Sequence, residues 1–532
     1  MTETAPAQQS PRVAAVIDIG ATSVRMEIAE IDDRGRARTL DSLRHGVSLG
    51  KDTFTRGRIQ QATIQECVRI LKGFRRVMEE HGVTRPEQVR AVATSAVREA
   101  ENRDTFLDRV YIGAGVNVEA VDEATENRLT YLAAEDLIQS NPDLRGGDVL
   151  LVDVGGGSTE VLFLQGGQVT ASNSFRMGSL RMRETLETHR TPTERVRTIL
   201  GQHIERLVEQ IRRNTPVSKP TALIAMSGDS RFAAGQLCGD WADLPAARID
   251  YKAFAGFVEK IAELPAERVV RRFHLTFEEA ETVGPALLVY LHIARAFKMD
   301  QLIVPKASLR DGLLREITQR GYRAGSFADQ VVHSALALGR KYQVDEKHAR
   351  HVANLCLRLF RELKTEHQLG ERHELLLEVA ALVHEVGGYI GSRSHHKHSM
   401  YVIQNSELFG LTREDIQLIA LIARYHRRAD PSASHAEYMV LDRDRRIAVS
   451  KLAAILRVAD AFDRNHLQLV RDFTVTREAD RLVIGVRGVE DLTIERLALK
   501  DKGNLFEEVY GVPVVVQEVR TAAEDGAHVP SA

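Results

Sequence analysis

The spacing of apolar residues changes character near residue 320. Before that point, short apolar runs of strand length alternate with segments of helical period. Residues 89–94, 116–121, 222–227 and 302–304 read as strands, and residues 59–81, 96–110, 122–139, 192–214, 276–297 and 309–319 as helices. Such alternation predicts layered α/β structure. Two segments share one layout, VAAVIDIGATSVRMEIAE at 13–30 and DVLLVDVGGGSTEVLFLQ at 148–165. Each is an apolar run ending in Asp (Asp18, Asp153), then a turn of small residues, then a second strand-like run. In the first, Val24, Met26 and Ile28 alternate with polar neighbours; in the second, residues 161–164 form a continuous apolar run, as a buried strand does. The pair predicts an internal duplication of a β–turn–β unit. Between 329 and 469 the strand pattern disappears and amphipathic helices rich in Leu, Ala, Arg and His take over. Strands return at 473–476 and 481–486, followed by a helix at 492–509 and a strand at 512–519, which predicts a small α+β module.

Composition narrows the classes. A chain of 532 residues holds roughly three or four domains. With 43% hydrophobic and 27% charged residues it is a folding chain and not a disordered one. A net charge of −2 excludes a globally basic nucleic-acid binder, so any polyanion must meet a local basic patch. At 5% aromatic residues, stacking on single-stranded bases is disfavoured. The cysteines, Cys67, Cys238 and Cys356, are too scattered for a disulfide framework or a cysteine zinc site and suit a reducing cytosol. No stretch has the length and apolarity of a membrane span or a signal core, so a cytoplasmic protein is expected.

The turn Asp153-Val154-Gly155-Gly156-Gly157-Ser158-Thr159-Glu160 carries the strongest chemical signal. Glycines let backbone amides converge on an anion, and Ser158 and Thr159 add hydroxyl donors. Asp153 and Glu160 supply hard oxygen ligands of the kind Mg²⁺ takes. No Lys follows the glycines, so this is not a Walker A loop, and the G-x-G-x-x-G spacing fails at Glu160. The bland alternative is an ordinary tight hairpin. In the matching loop Gly20, Thr22 and Ser23 could face phosphate, and Arg25 could add charge-assisted bonds.

These two loops, with residues 93–100 (ATSAVREA), make the chain resemble the exopolyphosphatase / guanosine-pentaphosphate phosphatase family. Further matching stretches are Arg176-Met177-Gly178, Ser308-Leu309-Arg310-Asp311-Gly312, and the two basic stretches HHKHS at 395–399 and RYHRR at 424–428. A sugar or acid kinase would share the loops but not the later motifs. The resemblance implies an α/β fold of two actin-like (ribonuclease H-like) domains around a cleft, followed by an all-α HD-like domain and a small α+β module. The corresponding boundaries are a tail at 1–12, domains at 13–140, 141–320 and 328–470, the module at 471–520, and a tail at 521–532.

It also implies Mg²⁺-assisted removal of a terminal phosphate from inorganic polyphosphate, or from guanosine pentaphosphate, with a homodimer compatible. Glu126 matches the family's catalytic base, which would take a proton from the attacking water. Arg98 matches its active-site arginine, while Asp153, Glu160 and Asp18 match its metal ligands. Without the resemblance, Glu126 reads as a helix-dipole partner and Arg98 as a solvated helix arginine. The chain departs from the family in the first loop, Ala21-Thr22-Ser23, and in a third glycine motif that has become Ala225-Met226-Ser227-Gly228-Asp229-Ser230. Asp229 would repel an anion there, so a polyphosphate or alarmone sensor of low activity stays open.

In the helical region the resemblance extends to a degenerate HD site of His348, His384, Glu385 and Asp460, with Glu385 where Asp is usual. The alternative is an inherited scaffold of hydrogen-bonded histidines. Arg393, His395, His396, Lys397 and His398 form one basic stretch and Arg424, His426, Arg427 and Arg428 another. The family's matching segments line a channel for a long polyphosphate chain, whose binding would be strongly salt-dependent; solvated surface patches are the alternative.

Overall fold

The structure, a computed structural model, describes residues 12–32, 35–186, 193–215, 217, 219–239, 241, 243–318, 327–427, 429–489 and 491–519. The two expected tails lie outside these residues, apart from Arg12, which opens the first strand. The chain forms two compact units, Met1–Arg320 and Gly321–Ala532.

The first unit holds two sheets built to one plan. In the first sheet Arg12–Ile19 pairs antiparallel with Ser23–Ile31, which pairs with Ala37–Gly46. On its other side it pairs parallel with Val89–Ala93, which is followed by Val118–Ala120. In the second sheet Asp148–Val154 takes the same place, antiparallel to Thr159–Gln165 and, beyond it, Gln168–Phe175. Its other edge meets Ala222–Met226 in parallel; Gln301–Pro305 and the antiparallel Ala246–Asp250 complete the sheet. The duplication extends to irregularities. A bulge falls between Ile28 and Ala29 in one sheet and between Phe163 and Leu164 in the other, the same distance along the chain from Asp18 and from Asp153. Val16, Ile17, Leu150, Leu151 and Val152 have no exposed surface, as expected of central strands covered by helices on both faces.

Helix starts follow local chemistry. Glu123–Ser140 opens where the Asp122 carboxylate accepts from the Thr125 amide at 2.8 Å. Phe277–Ala296 opens with a Thr276/Glu279 capping box. The helix expected at 96–110 is two, Ser95–Arg98 and Arg103–Ala114. The break occurs where the Asn102 side-chain amide bonds both the amide and the carbonyl of Ile59, at 2.9 Å each. The helix Leu309–Thr318 follows the second sheet in sequence but packs on the first. Leu313 and Leu314 bury against Val16, Val92, Val121 and Leu129, and Glu316 pairs with Arg90 and Arg128. A Cβ at Gly312 would stand 2.2 Å from the Leu129 carbonyl oxygen, so only glycine permits the approach.

In the second unit the amphipathic segments form the helices Phe327–Lys341, Glu346–Glu362, Glu371–Val383, His395–Gln404, Arg413–Arg424 and Arg443–Ala461. A three-stranded sheet follows, in which Leu482–Arg487 lies between Phe473–Arg477 and Val514–Val519. The helix expected at 492–509 is divided into Thr493–Lys502 and Asn504–Tyr510 at Gly503. Among the described residues no helix is long and apolar enough to cross a membrane.

Candidate active site

The two turns have the same backbone. The Gly20 amide donates to the Ser23 carbonyl and the Gly155 amide to the Ser158 carbonyl, both at 2.9 Å. They also meet: a Cβ on Gly156 would come within 2.8 Å of the Ala21 Cβ. Between them opens a cavity of about 200 Å³ lined by Asp18, Gly20, Thr22, Ser23, Arg25, Glu126, Asp153, Gly155, Gly156 and Ser158, among others.

Other predicted phosphate donors point elsewhere. Thr159 is fully buried and its hydroxyl donates to the Met177 carbonyl. Gly157 packs under Ser95 and Phe54, where a Cβ would come within 2.5 Å of either side chain. Neither residue lines the cavity. The 176–178 stretch explains this packing. The amides of Ser179, Leu180 and Arg181 donate to the Gly155 and Gly156 carbonyls, so the far side of the loop is closed by protein. A Cβ on Gly178 would lie 2.4 Å from the Gly157 nitrogen.

Four carboxylates are brought together. Asp18, Glu126, Asp153 and Glu160 are each raised above the usual range, first by burial. Asp153 rises to about 7; Arg231 opposes the rise, while Glu126 and Asp18 reinforce it. Glu160, buried and accepting from the Ser174 hydroxyl at 3.2 Å, is raised further by Glu126 and Asp153. Like charges in a dry site destabilise one another until a cation enters. Hard oxygens suit Mg²⁺: Asp18, Glu126 and Asp153 line the cavity, whereas Glu160, the cross-strand neighbour of Asp153, is buried and is not among the lining residues.

Arg98 ends a short helix and does not begin one. Its Nη1 donates to Glu126 Oε2 at 2.8 Å and to the Val121 carbonyl at 2.9 Å. It thereby fixes the Glu126 carboxylate and opposes its upward shift. Glu126 lines the cleft, whereas Arg98 stands behind it. Glu99 reaches the second half through Arg181 at 2.6 Å and through Arg176.

Several residues of the cleft went unnoticed in the sequence. Arg44 and Arg231 join Arg25 as lining guanidinium groups, as does Arg310 of the matching 308–312 stretch, whose Nη1 is buried without a hydrogen-bond partner. Arg231 donates to the Ala307 carbonyl at 2.9 Å. Tyr290 braces the floor, accepting from the Val154 amide at 3.0 Å and donating to the Met226 carbonyl. The altered third motif opens the helix Gly228–Leu237, where Ser227 Oγ accepts from the Ser230 amide at 3.0 Å. Asp229 does face the cleft, and burial pushes its carboxyl up to about 6 against the pull of Arg25.

Residues 27–320 match the Ppx/GppA phosphatase family, and residues 332–495 match Ppx/GppA phosphatase, domain III. The chain belongs to the Ppx/GppA phosphatase family. It is therefore a hydrolase of phosphoric anhydrides. A guanosine-5'-triphosphate,3'-diphosphate pyrophosphatase of Vibrio vulnificus is 23% identical over 96% of this chain and 99% of its own. One of Aliivibrio fischeri is 24% identical over 90% of this chain and 92% of its own. A solved exopolyphosphatase from Cytophaga hutchinsonii is 23% identical, with a TM-score of 0.52 over 58% of this chain and 98% of that one. The expected fold, two actin-like domains followed by a helical domain, is the fold of this chain.

In the Ppx/GppA domain III unit the two basic stretches converge. His396 is pushed down to about 4 by burial and then by His395, Arg427, Lys397 and Arg424, cations from both stretches. Arg393 and Lys397 are exposed, and His395, His396, His398 and Arg427 half-buried. Arg424 and His426 are not part of a solvated patch. Both are buried: Arg424 lies 3.6 Å from Glu437, and His426 Nε2 is 3.1 Å from His395 Nε2. Arg428 lies outside the described residues. The fully buried Arg457, also unnoticed in the sequence, anchors this stretch by donating to the Tyr425 and Ala429 carbonyls, at 2.6 Å each. Of the expected HD residues, His348, His384 and Asp460 come together, and Glu385 falls into a second grouping with His348 and His466.

Proposed function

We propose that this chain is a Mg²⁺-dependent exopolyphosphatase that removes orthophosphate from the end of inorganic polyphosphate. The observation carrying the reading is the buried carboxylate cluster facing two glycine turns and four arginines in one cleft. Mg²⁺ held by Asp153 and Glu160, with Asp18 nearby, would offset the charge of the phosphate oxygens. The amides of the Gly20 and Gly155 turns, with Ser23 and Ser158, are the donors for the terminal phosphate. Arg25, Arg231 and Arg310 supply charge to the phosphates behind it.

Glu126 acts as general base. Burial raises its proton affinity and Arg98 holds its carboxylate in place, a combination suited to taking a proton from water. The water oxygen adds to the terminal phosphorus, the bridging P–O bond breaks, and the chain leaves one phosphate shorter. Arg393, Lys397 and Arg427 would supply positive charge to a longer polyanion on domain III, while His395, His396 and His426 are held toward their neutral forms.

The Vibrio and Aliivibrio relatives favour a second substrate, guanosine pentaphosphate, for the same cleft. Orthophosphate release from long-chain polyphosphate and from guanosine pentaphosphate, with Mg²⁺ and beside Asp153→Ala, ranks the two. Release from neither substrate by folded protein that still binds polyphosphate would replace both readings with a sensor.

A further inference from the structure

One charge pair lining the cleft has no part in the proposed reaction. Arg44, on the strand Ala37–Gly46 of the first sheet, donates through Nη1 to Glu279 Oε1, in the helix Phe277–Ala296 packed on the second sheet. Both residues line the cleft, so the pair spans it from one half to the other.

Arg44 is placed for phosphate. It lies directly across the strand pair from Arg25, and with Arg25, Arg231 and Arg310 it lines a second cavity of about 230 Å³. The other residues lining this chamber carry no charge. It adjoins the catalytic cleft, with which it shares all four arginines, but none of the turn residues Gly20, Ser23, Gly155 and Ser158 lines it. Guanidinium groups gathered around one space repel one another, and Glu279 offsets the charge of Arg44.

Glu279 is a replaceable partner. The Arg44 side chain is 45% exposed, and an ion pair that reaches water is weak. The second carboxylate oxygen, Oε2, accepts from the Thr276 amide at 2.9 Å, so Glu279 keeps its place at the helix start when Arg44 leaves it. Burial, which favours the neutral acid, is outweighed by that amide and by Arg44, which hold the carboxyl below its usual range. Glu279 is therefore an anion at neutral pH.

Resting on the phosphatase reading of the cleft, we propose that Glu279 is a specificity-determining residue that competes with substrate for Arg44. A single phosphate held by the two turns leaves the pair closed. A condensed phosphate long enough to reach the arginine chamber must displace Glu279 before it gains Arg44. Glu279 thereby sets the affinity for the phosphates behind the terminal one and loosens the hold on the shortened chain, which lets it leave.

The test measures equilibrium binding to the full-length chain with Mg²⁺, using orthophosphate and a methylene-bridged tripolyphosphate that water does not cleave. Glu279→Gln, which keeps an oxygen to cap the helix, is expected to bind the tripolyphosphate analogue about fivefold more tightly and to change orthophosphate affinity less than about twofold. In an Arg44→Gln background the same substitution is expected to shift neither ligand by more than about twofold, because nothing is left to compete for. Equal tightening of both ligands marks a general loss of negative charge and overturns the proposal. Tightening that persists with Arg44→Gln overturns it as well, as does affinity for the analogue that is unchanged or absent in folded Glu279→Gln. Orthophosphate release from polyphosphate by the wild type is read separately, so failure of the hydrolase reading shows as absent release while the binding contrast still decides the role of Glu279.

Discussion

The two turns that form the cleft differ in charge at one cross-strand position. Asp18 faces Arg25 across its hairpin, and Asp153 faces Glu160 across the other. Backbone, turn hydrogen bond and bulge are retained in both copies. The first pair is a carboxylate opposed by a guanidinium: Arg25 lowers the Asp18 affinity for protons, against burial. The second pair is two buried carboxylates: Asp153 raises Glu160, and Glu126 raises both. On the proposed reading, a duplicated scaffold yields one turn matched to anions and one matched to a cation, as a metal-assisted phosphatase needs on the two sides of its substrate.

The comparison breaks most completely if the second turn is given the charge of the first. Glu160→Arg is expected to abolish Mg²⁺-dependent phosphate release, by about 10³-fold or more, read as initial rates across a Mg²⁺ titration. Glu126→Gln should lower kcat by about 10²–10⁴-fold with little change in polyphosphate affinity, a split seen by pairing kinetics with equilibrium binding. Arg25→Gln, which removes the cation from the first turn, should weaken binding roughly 10–100-fold while the residual rate still requires Mg²⁺. The smallest effect is expected from Asp229→Asn. The Asp229 carboxyl is pushed up to about 6, so it is charged above that pH and neutral below it. The substitution should tighten anion binding a few-fold above pH 6 and change nothing at pH 5.

Much of this asymmetry was legible in the sequence, because Asp18, Arg25, Asp153 and Glu160 sit in short contiguous motifs. The helix carrying Glu126 was legible for the same reason, through its Asp122 cap. What escaped were contacts between elements far apart in the chain. Tyr290 joins Val154 to Met226 from inside a helix whose pattern only signals burial. Arg457 and Lys502 look like ordinary helix cations until the fold buries them against the Tyr425 carbonyl and Asp460. Thr159 misled in the opposite direction: alternation along its strand turns the hydroxyl toward Met177 and away from the cleft. The continuous helix read at 96–110 failed because the Asn102–Ile59 hydrogen bonds outweigh local periodicity.

The central claim is that Glu126 and the carboxylates of the second turn hydrolyse a terminal phosphate in concert with Mg²⁺. Its most direct test is orthophosphate release from long-chain polyphosphate by wild type, Glu126→Gln and Asp153→Ala, with Mg²⁺ and with chelator. The account predicts release by the wild type with Mg²⁺ only, and folded variants in which Glu126→Gln binds polyphosphate without cleaving it. Undiminished release by either variant, or release that survives the chelator, would contradict it.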